Sequence, residues 1–208
     1  MLTKSDFAKA FARVADTMAK HKDYLVKLDQ VNGDGDLGLS MDSGFGALAD
    51  CAGRSDETDL GRFLMKCSQA FNEAAPSSLG TIISFGLVGM AKSLKGKETA
   101  SREQLGAALD AGITLIMDRA GSKPGEKTIL DSLVPAKDAF LACPGDDLKR
   151  CLEAAAKAAA SGAEATRAMR SVHGRAAYYG DKSIGVLDGG AEVGRLIFES
   201  IAKTGTDI

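Results

Sequence analysis

Apolar residues recur along this chain at spacings of three and four. Phe7, Phe11, Val14 and Met18 form one stripe, and Leu60, Phe63, Leu64, Cys67 and Phe71 form another. Leu105, Leu109, Ile113 and Ile116 repeat the pattern, as do Val193, Ile197 and Ile201. Such spacing places each set on one face of an amphipathic helix. The pattern predicts helices over 4–20, 23–30, 38–53, 57–74, 78–94, 101–120, 127–142, 146–172 and 187–203, with the second able to continue the first. "SREQ" at 101–104 reads as a capping box that opens one of them. "CLEAAAKAAASGAEATRAM" is rich in alanine, the best helix former. No stretch alternates as a strand does.

Short connections between these segments predict an all-α fold, a single-domain antiparallel bundle of about eight helices covering residues 1–208. Prolines fall mostly at helix starts, where the missing N–H costs nothing; Pro135 lies inside the 127–142 segment and argues against an unbroken helix there. Three glycine-rich joints stand out, at 32–38, 121–128 and 174–190. Joints carry chemistry more often than helices do.

Composition narrows the class. A hydrophobic share of 45% with 26% charged residues is a globular balance. The net charge of −2 lacks the basic excess expected of a nucleic-acid binder. The longest apolar run, near Thr81–Ala91, is far short of the ~20 residues needed to span a bilayer, so no membrane association is expected. "MLTKSDFAKAF" has no signal-peptide core. Cys51, Cys67, Cys143 and Cys151 form no CxxC pair, and the two histidines are too few for a zinc site. Reduced thiols in a cytoplasmic protein are the expectation.

The joint "KLDQVNGDGDLG" crowds Asp29, Asp34 and Asp36 into eight positions. It satisfies G-x-G-x-x-G literally, but helical sequence precedes it and two aspartates would face a pyrophosphate. An EF-hand fails as well, because Leu37 and Ser43 stand where glycine and glutamate are required. Three carboxylates brought together need a cation or retained protons. An all-oxygen donor set suits Mg2+ or Ca2+. The plain alternative is a solvated turn with Asp34 capping the next helix.

The other joints are less specific. In "NEAAPSSLGTIIS", Ser77 or Ser78 caps a helix whose free amides can also receive an anion. "GSKPGEKT" misses the Walker A pattern, since Glu126 precedes Lys127, and no strand leads in. "GRAAYYGDKSIGVLDGGA" offers Arg175, Lys182 and Asp188, with Tyr178 and Tyr179 free to pack on the bundle. Cations beside a phosphate and an acid beside a ribose hydroxyl are the functional alternative. His21 and His173 have no evident catalytic partner, although His173 stands close to Arg175 in sequence.

Taken together, "LDQVNGDGDLGLSM", "LGTIIS", "GEKTILDSLVPA" and "GRAAYYGDKSIGVLDGGA" resemble the L subunit of dihydroxyacetone kinase, the nucleotide-binding or DhaL-like domain. The resemblance implies a barrel of eight antiparallel helices with ADP or ATP at one rim. It implies two Mg2+ ions held by Asp29, Asp34 and Asp36, and a phosphate-contacting turn at Ser77, Ser78, Leu79, Gly80 and Thr81. Ile129 would pack near the base, and Arg175 and Asp188 would belong to the loop that closes over the nucleotide, with Arg175 offsetting phosphate charge during transfer.

A separate K subunit holding a small ketose covalently is the implied partner, along with a phosphotransferase-system donor in those members that keep ADP bound. The same resemblance admits a kinase subunit for another ketose, such as a tetrose, or a nucleotide-sensing regulatory module. The chain departs from the family's usual residues at Leu37 (commonly His), Ser40 (commonly Asn), Glu126 (Asp) and Gly189 (Pro), and "AAPSSLG" replaces a Gly-Ser-Gly-Pro turn.

Overall fold

The computed structural model describes residues 1–204. Eight α-helices make up most of them: α1 Lys4–Asp29, α2 Leu37–Arg54, α3 Leu60–Ala74, α4 Ser78–Ser93, α5 Arg102–Ala120, α6 Leu130–Ala142, α7 Leu148–Ala165 and α8 Gly189–Thr204. The all-α expectation holds. One feature was absent from the sequence reading: β1 (Leu2–Thr3) pairs antiparallel with β2 (Thr99–Ala100), with Leu2 opposite Ala100. Two residues per strand are too few to leave an alternating pattern.

Helix boundaries follow local chemistry. The first two predicted segments are one helix, because no glycine or proline interrupts residues 4–29. α3 begins at Leu60, after Asp59 accepts a hydrogen bond from the Arg62 amide. α5 opens with the predicted box: Ser101 accepts from the Gln104 amide while the Gln104 side chain accepts from the Ser101 amide.

α3 is thus three residues shorter than predicted, and α6 and α7 are shorter too. α6 starts at Leu130 instead of residue 127, because the Asp131 carboxylate gathers the Gly125 and Thr128 amides into a turn. Pro135 lies inside α6 after all, five residues from its start. Its missing N–H leaves the Asp131 carbonyl without a helical donor. α7 crosses at this point with Gly162, where no side chain fits against that carbonyl and the Pro135 ring. α7 ends at Ala165 instead of 172, and a short 3-10 turn, Thr166–Ala168, follows. Carbonyls that would continue the helix are bonded elsewhere, as described below.

Each helix packs on its chain neighbours, and α8 returns onto α1, closing a ring. The closure is also polar: Arg13 of α1 donates to the Lys203 carbonyl of α8 at 2.7 Å. The predicted stripes face inward. Met18, Leu25, Leu48, Phe63, Phe71 and Leu196 are fully buried, and each such side chain contributes about 1.5–3 kcal/mol when removed from water. Phe45 and Phe71 meet edge to face at 4.9 Å between α2 and α3.

Up-and-down order has a direct consequence for function. The starts of α2, α4, α6 and α8 meet at one rim, together with the ends of α1 and α5. Four helix N-termini, each with partial positive charge, therefore face the same space. Among the described residues no helix is long and apolar enough to cross a membrane. The cysteines are all free thiols.

Candidate functional site

The rim encloses a cavity of about 840 Å3, floored by those helix starts and roofed by the 170–190 segment. This is ample room for a nucleotide-sized ligand.

The acidic joint is one wall. Asp29 ends α1, Asp34 lies in the turn and Asp36 is the residue preceding α2. One oxygen from each of the three carboxylates lies within 4.8 Å of the other two. Glycine makes this possible at two points. Gly35 has φ +79°, a left-handed conformation that side chains rarely adopt. A Cβ at Gly33 would collide with the Asp29 carboxylate. The Gly35 amide donates to Asp29 Oδ2 at 2.8 Å, which fixes that carboxylate against the turn.

The plain alternative, Asp34 capping the next helix, is not what forms. Asp36 occupies the cap position, yet its side chain makes no capping bond. Asp34 instead faces the arginine of another loop: Arg175 Nη2 stands 2.7 Å from Asp34 Oδ2. Burial pushes the Asp36 carboxyl above its ordinary range, the charges on Asp34 and Asp29 push it further, and Arg175 offsets only part of this. The cluster is therefore short of positive charge. Its donors are all hard oxygens, converging and partly exposed to the cavity, a set that suits Mg2+ or Ca2+.

The opposite wall is the start of α4. Ser77 caps it, accepting from the Gly80 amide at 3.1 Å, and its hydroxyl meets that of Ser40 at 2.7 Å. Ser77, Ser78, Leu79 and Thr81 line the cavity. Gly80 does not; its amide is used by the cap, and a Cβ there would strike the Ala75 carbonyl. Ile129, buried, lines the floor before α6. Leu37 is buried too and packs toward Gly189 at the start of α8.

Asp188 sits at the back and caps α8, accepting from the Ala191 amide at 2.7 Å. Burial pushes its carboxyl up to about 6, against the pull of the Ala191 amide and of the Lys127 charge.

Of the basic residues proposed for the third joint, Arg175 lines the cavity and Lys182 does not. Arg175 opens a 3-10 segment, Arg175–Ser183, kinked at Gly180, where the sequence pattern had suggested only loop. Tyr178 is 91% exposed, so it does not pack on the bundle. His173 does line the cavity, and its Nε2 lies 2.6 Å from Glu126 Oε2. His21 lies apart from the cavity, bonded to the Thr17 carbonyl in its own helix.

Lys127, to which the sequence assigned no role in the site, is only 4% exposed yet borders the cavity. Its backbone has φ +61°. Its ammonium lies within hydrogen-bond distance of the carbonyls of Thr166 (2.9 Å), Met169 (3.1 Å), Ser183 (2.7 Å) and Val186 (2.7 Å). The "GEKT" segment gives no sign of this burial, because all four partners are backbone carbonyls distant in sequence.

Residues 31–203 match the DAK2 domain family. This chain belongs to that family. It is 27% identical over 192 residues to the ADP-binding subunit DhaL of the PEP-dependent dihydroxyacetone kinase of Escherichia coli, covering 91% of both chains. It is 31% identical over 169 residues to the L-erythrulose 1-kinase of Mycolicibacterium smegmatis and 31% over 199 residues to the human triokinase/FMN cyclase. These two alignments cover 80% and 94% of this chain but only 30% and 34% of the relatives, so the DAK2 domain corresponds to about a third of those longer proteins. The fold matches that of the C. freundii dihydroxyacetone kinase crystallised with AMP-PNP and Mg2+. The TM-score is 0.74 at 24% identity, covering 94% of this chain and 33% of that one. The DAK2 domain described here is thus homologous to the L-type subunit of dihydroxyacetone kinase.

Proposed function

We propose that this chain is the nucleotide-binding subunit of a dihydroxyacetone-type kinase, working in the cytoplasm with a separate K subunit that carries the ketose. The observation that carries the proposal is the convergence of the Asp29, Asp34 and Asp36 oxygens within 4.8 Å at a rim where four helices begin. Carboxylates alone repel a polyphosphate, and helix N-termini alone attract one. The combination suits a polyphosphate that arrives with divalent metal.

In this reading Asp29, Asp34 and Asp36 hold Mg2+, two ions by family resemblance. The metal supplies charge neutralisation on the phosphates. Ser77, Ser78 and Thr81 present hydroxyls to phosphate oxygens, and Ser78 and Leu79 the amides of the α4 start. Arg175 leaves Asp34 to meet the phosphate charge that develops during in-line transfer. Ile129 offers an apolar face to the base, and Asp188 stands at the back for a ribose hydroxyl. The acceptor hydroxyl belongs to the partner, so no general base is required of this chain. ADP held permanently and recharged by a phosphotransferase-system protein, or ATP exchanged at each turnover, both suit the site.

The sugar is set by the partner. Similarity to an L-erythrulose 1-kinase supports a tetrose as a second candidate beside dihydroxyacetone. A panel of K subunits and ketoses, assayed for phosphoryl transfer with this chain, separates the two.

The test of the site is Asp34→Asn. Mg2+-dependent binding of ADP and ATP, followed by calorimetry, is expected to disappear. Unchanged affinity would remove the acidic cluster from the site and the proposal with it.

A further inference from the structure

Lys127 has the geometry of a hub. Its four acceptor carbonyls fall in two pairs: Thr166 and Met169 before the 170–182 segment, Ser183 and Val186 after it. An ammonium has three N–H groups, so four carbonyls share them, and among the described residues no carboxylate completes the set. This is how a small cation is held, with the lysine supplying the cation. The segment between the two pairs bears His173, which lines the cavity, and Arg175, whose guanidinium lies 2.7 Å from Asp34.

The neck of this segment is bonded at further points. The Gly185 amide donates to the Arg167 carbonyl at 2.7 Å, the Ser171 amide to Ser183 Oγ at 3.0 Å, and the Asp188 amide to Thr166 Oγ1 at 3.0 Å. Above the neck, Tyr178 and Asp181 are solvent-exposed. The backbone at Lys127 is the one described non-glycine residue with positive φ, a conformation that persists only where surroundings enforce it. Here the enforcement is visible, since the Asp131 carboxylate holds the amides of Gly125 and Thr128 on either side. The turn exists in a form that drives the lysine inward.

We propose that Lys127 is a positioning residue for nucleotide binding: its buried ammonium closes the neck of the 170–186 loop and so sets Arg175 over the acidic cluster. This rests on the proposed nucleotide site for its effect on affinity, but the closure of the neck is a property of the free protein and can be measured without nucleotide.

The experiment has two arms. In the first, wild type without ligand is followed by hydrogen exchange. The Ser171, Gly185 and Asp188 amides are expected to exchange at least about a hundredfold more slowly than those of Tyr178 and Tyr179, as opening of a bonded neck requires. Equal rates overturn the proposal, whatever the protein binds.

In the second arm, Lys127→Met, Arg175→Ala and the double variant are titrated with Mg·ADP. Lys127→Met is expected to weaken binding by up to about tenfold, the loss expected of Arg175→Ala itself, and to speed tryptic cleavage at Arg170, Arg175 and Lys182. In the Arg175→Ala background it is expected to have no further effect on affinity, because it acts through that arginine. Additive losses overturn the positioning role. Failure of wild type to bind Mg·ADP at all sinks the nucleotide reading alone, and the exchange arm then decides the neck.

Discussion

Arg175 and Asp34 meet at 2.7 Å across the mouth of the barrel, joining the loop before α8 to the turn before α2. Arg175 thus stands where a metal ion would place its charge. Replacing Arg175 by alanine is expected to have opposite effects on two ligands. Affinity for Mg2+ or Ca2+ alone should rise, since Asp34 no longer has a competing cation. Affinity for Mg·ADP should fall about tenfold, the scale of one arginine–phosphate contact. Calorimetry with metal alone and then with nucleotide measures both. A fall in metal affinity would show that Arg175 supports the cluster instead of competing with it.

Gly33→Ala places a methyl group against the Asp29 carboxylate and, less closely, the Asp29 backbone carbonyl. The clash lies in a surface turn outside the helix core. Unfolding free energy is expected to drop by about 1 kcal/mol or less, while divalent-metal binding is lost or weakened at least tenfold. Urea titration and metal calorimetry on the same sample check the pair. Intact metal affinity would mean that Asp29 is not a ligand.

The Asp188 carboxyl gives a pH signature. Its folded value, near 6, lies above the ordinary carboxylate value of 3.8. The folded protein therefore binds this proton more tightly than the unfolded chain does, and the group's contribution to stability is lost as pH rises from about 4 to 6. Asp188→Asn removes the titration. Its stability relative to wild type should increase over that window, by up to about 2–3 kcal/mol, and be level above pH 7. Urea unfolding at several pH values in metal-free buffer tests this. A constant difference between the two proteins across the window contradicts it.

Ser77 joins two roles, capping α4 and bonding Ser40 of α2. Ser77→Ala should cost about 1–2 kcal/mol, and Ser77→Gly somewhat less at the cap. Thermal unfolding of the two variants, compared with Ser40→Ala, separates the cap from the cross-helix bond. A Ser40→Ala loss equal to that of Ser77→Ala would assign the whole effect to the hydroxyl pair.

Helix identity was legible in the residues because the period of the apolar stripes is local. Phe63, Leu64, Cys67 and Phe71 needed no knowledge of their neighbours in space to declare a helix. The Ser101 box announced its own helix start for the same reason. The three aspartates were legible as well, since like charges crowded into a glycine-rich turn demand an explanation in any fold. Family resemblance pointed to Ser77, Ile129, Arg175 and Asp188, which line one cavity. What it could not supply was the loss of Gly80 from the lining, which follows from the Ser77 cap taking up its amide.

The chain by itself determined the number and character of the helices, and the acidic turn with its glycines. Tertiary structure alone decided that four helix starts and that turn share one space, because this depends on the up-and-down closing of α8 onto α1. It also decided where α7 stops and what Lys127 does. Those outcomes depend on carbonyls from two segments reaching one ammonium. Periodicity cannot encode such a meeting, because the acceptors are backbone atoms that every residue carries.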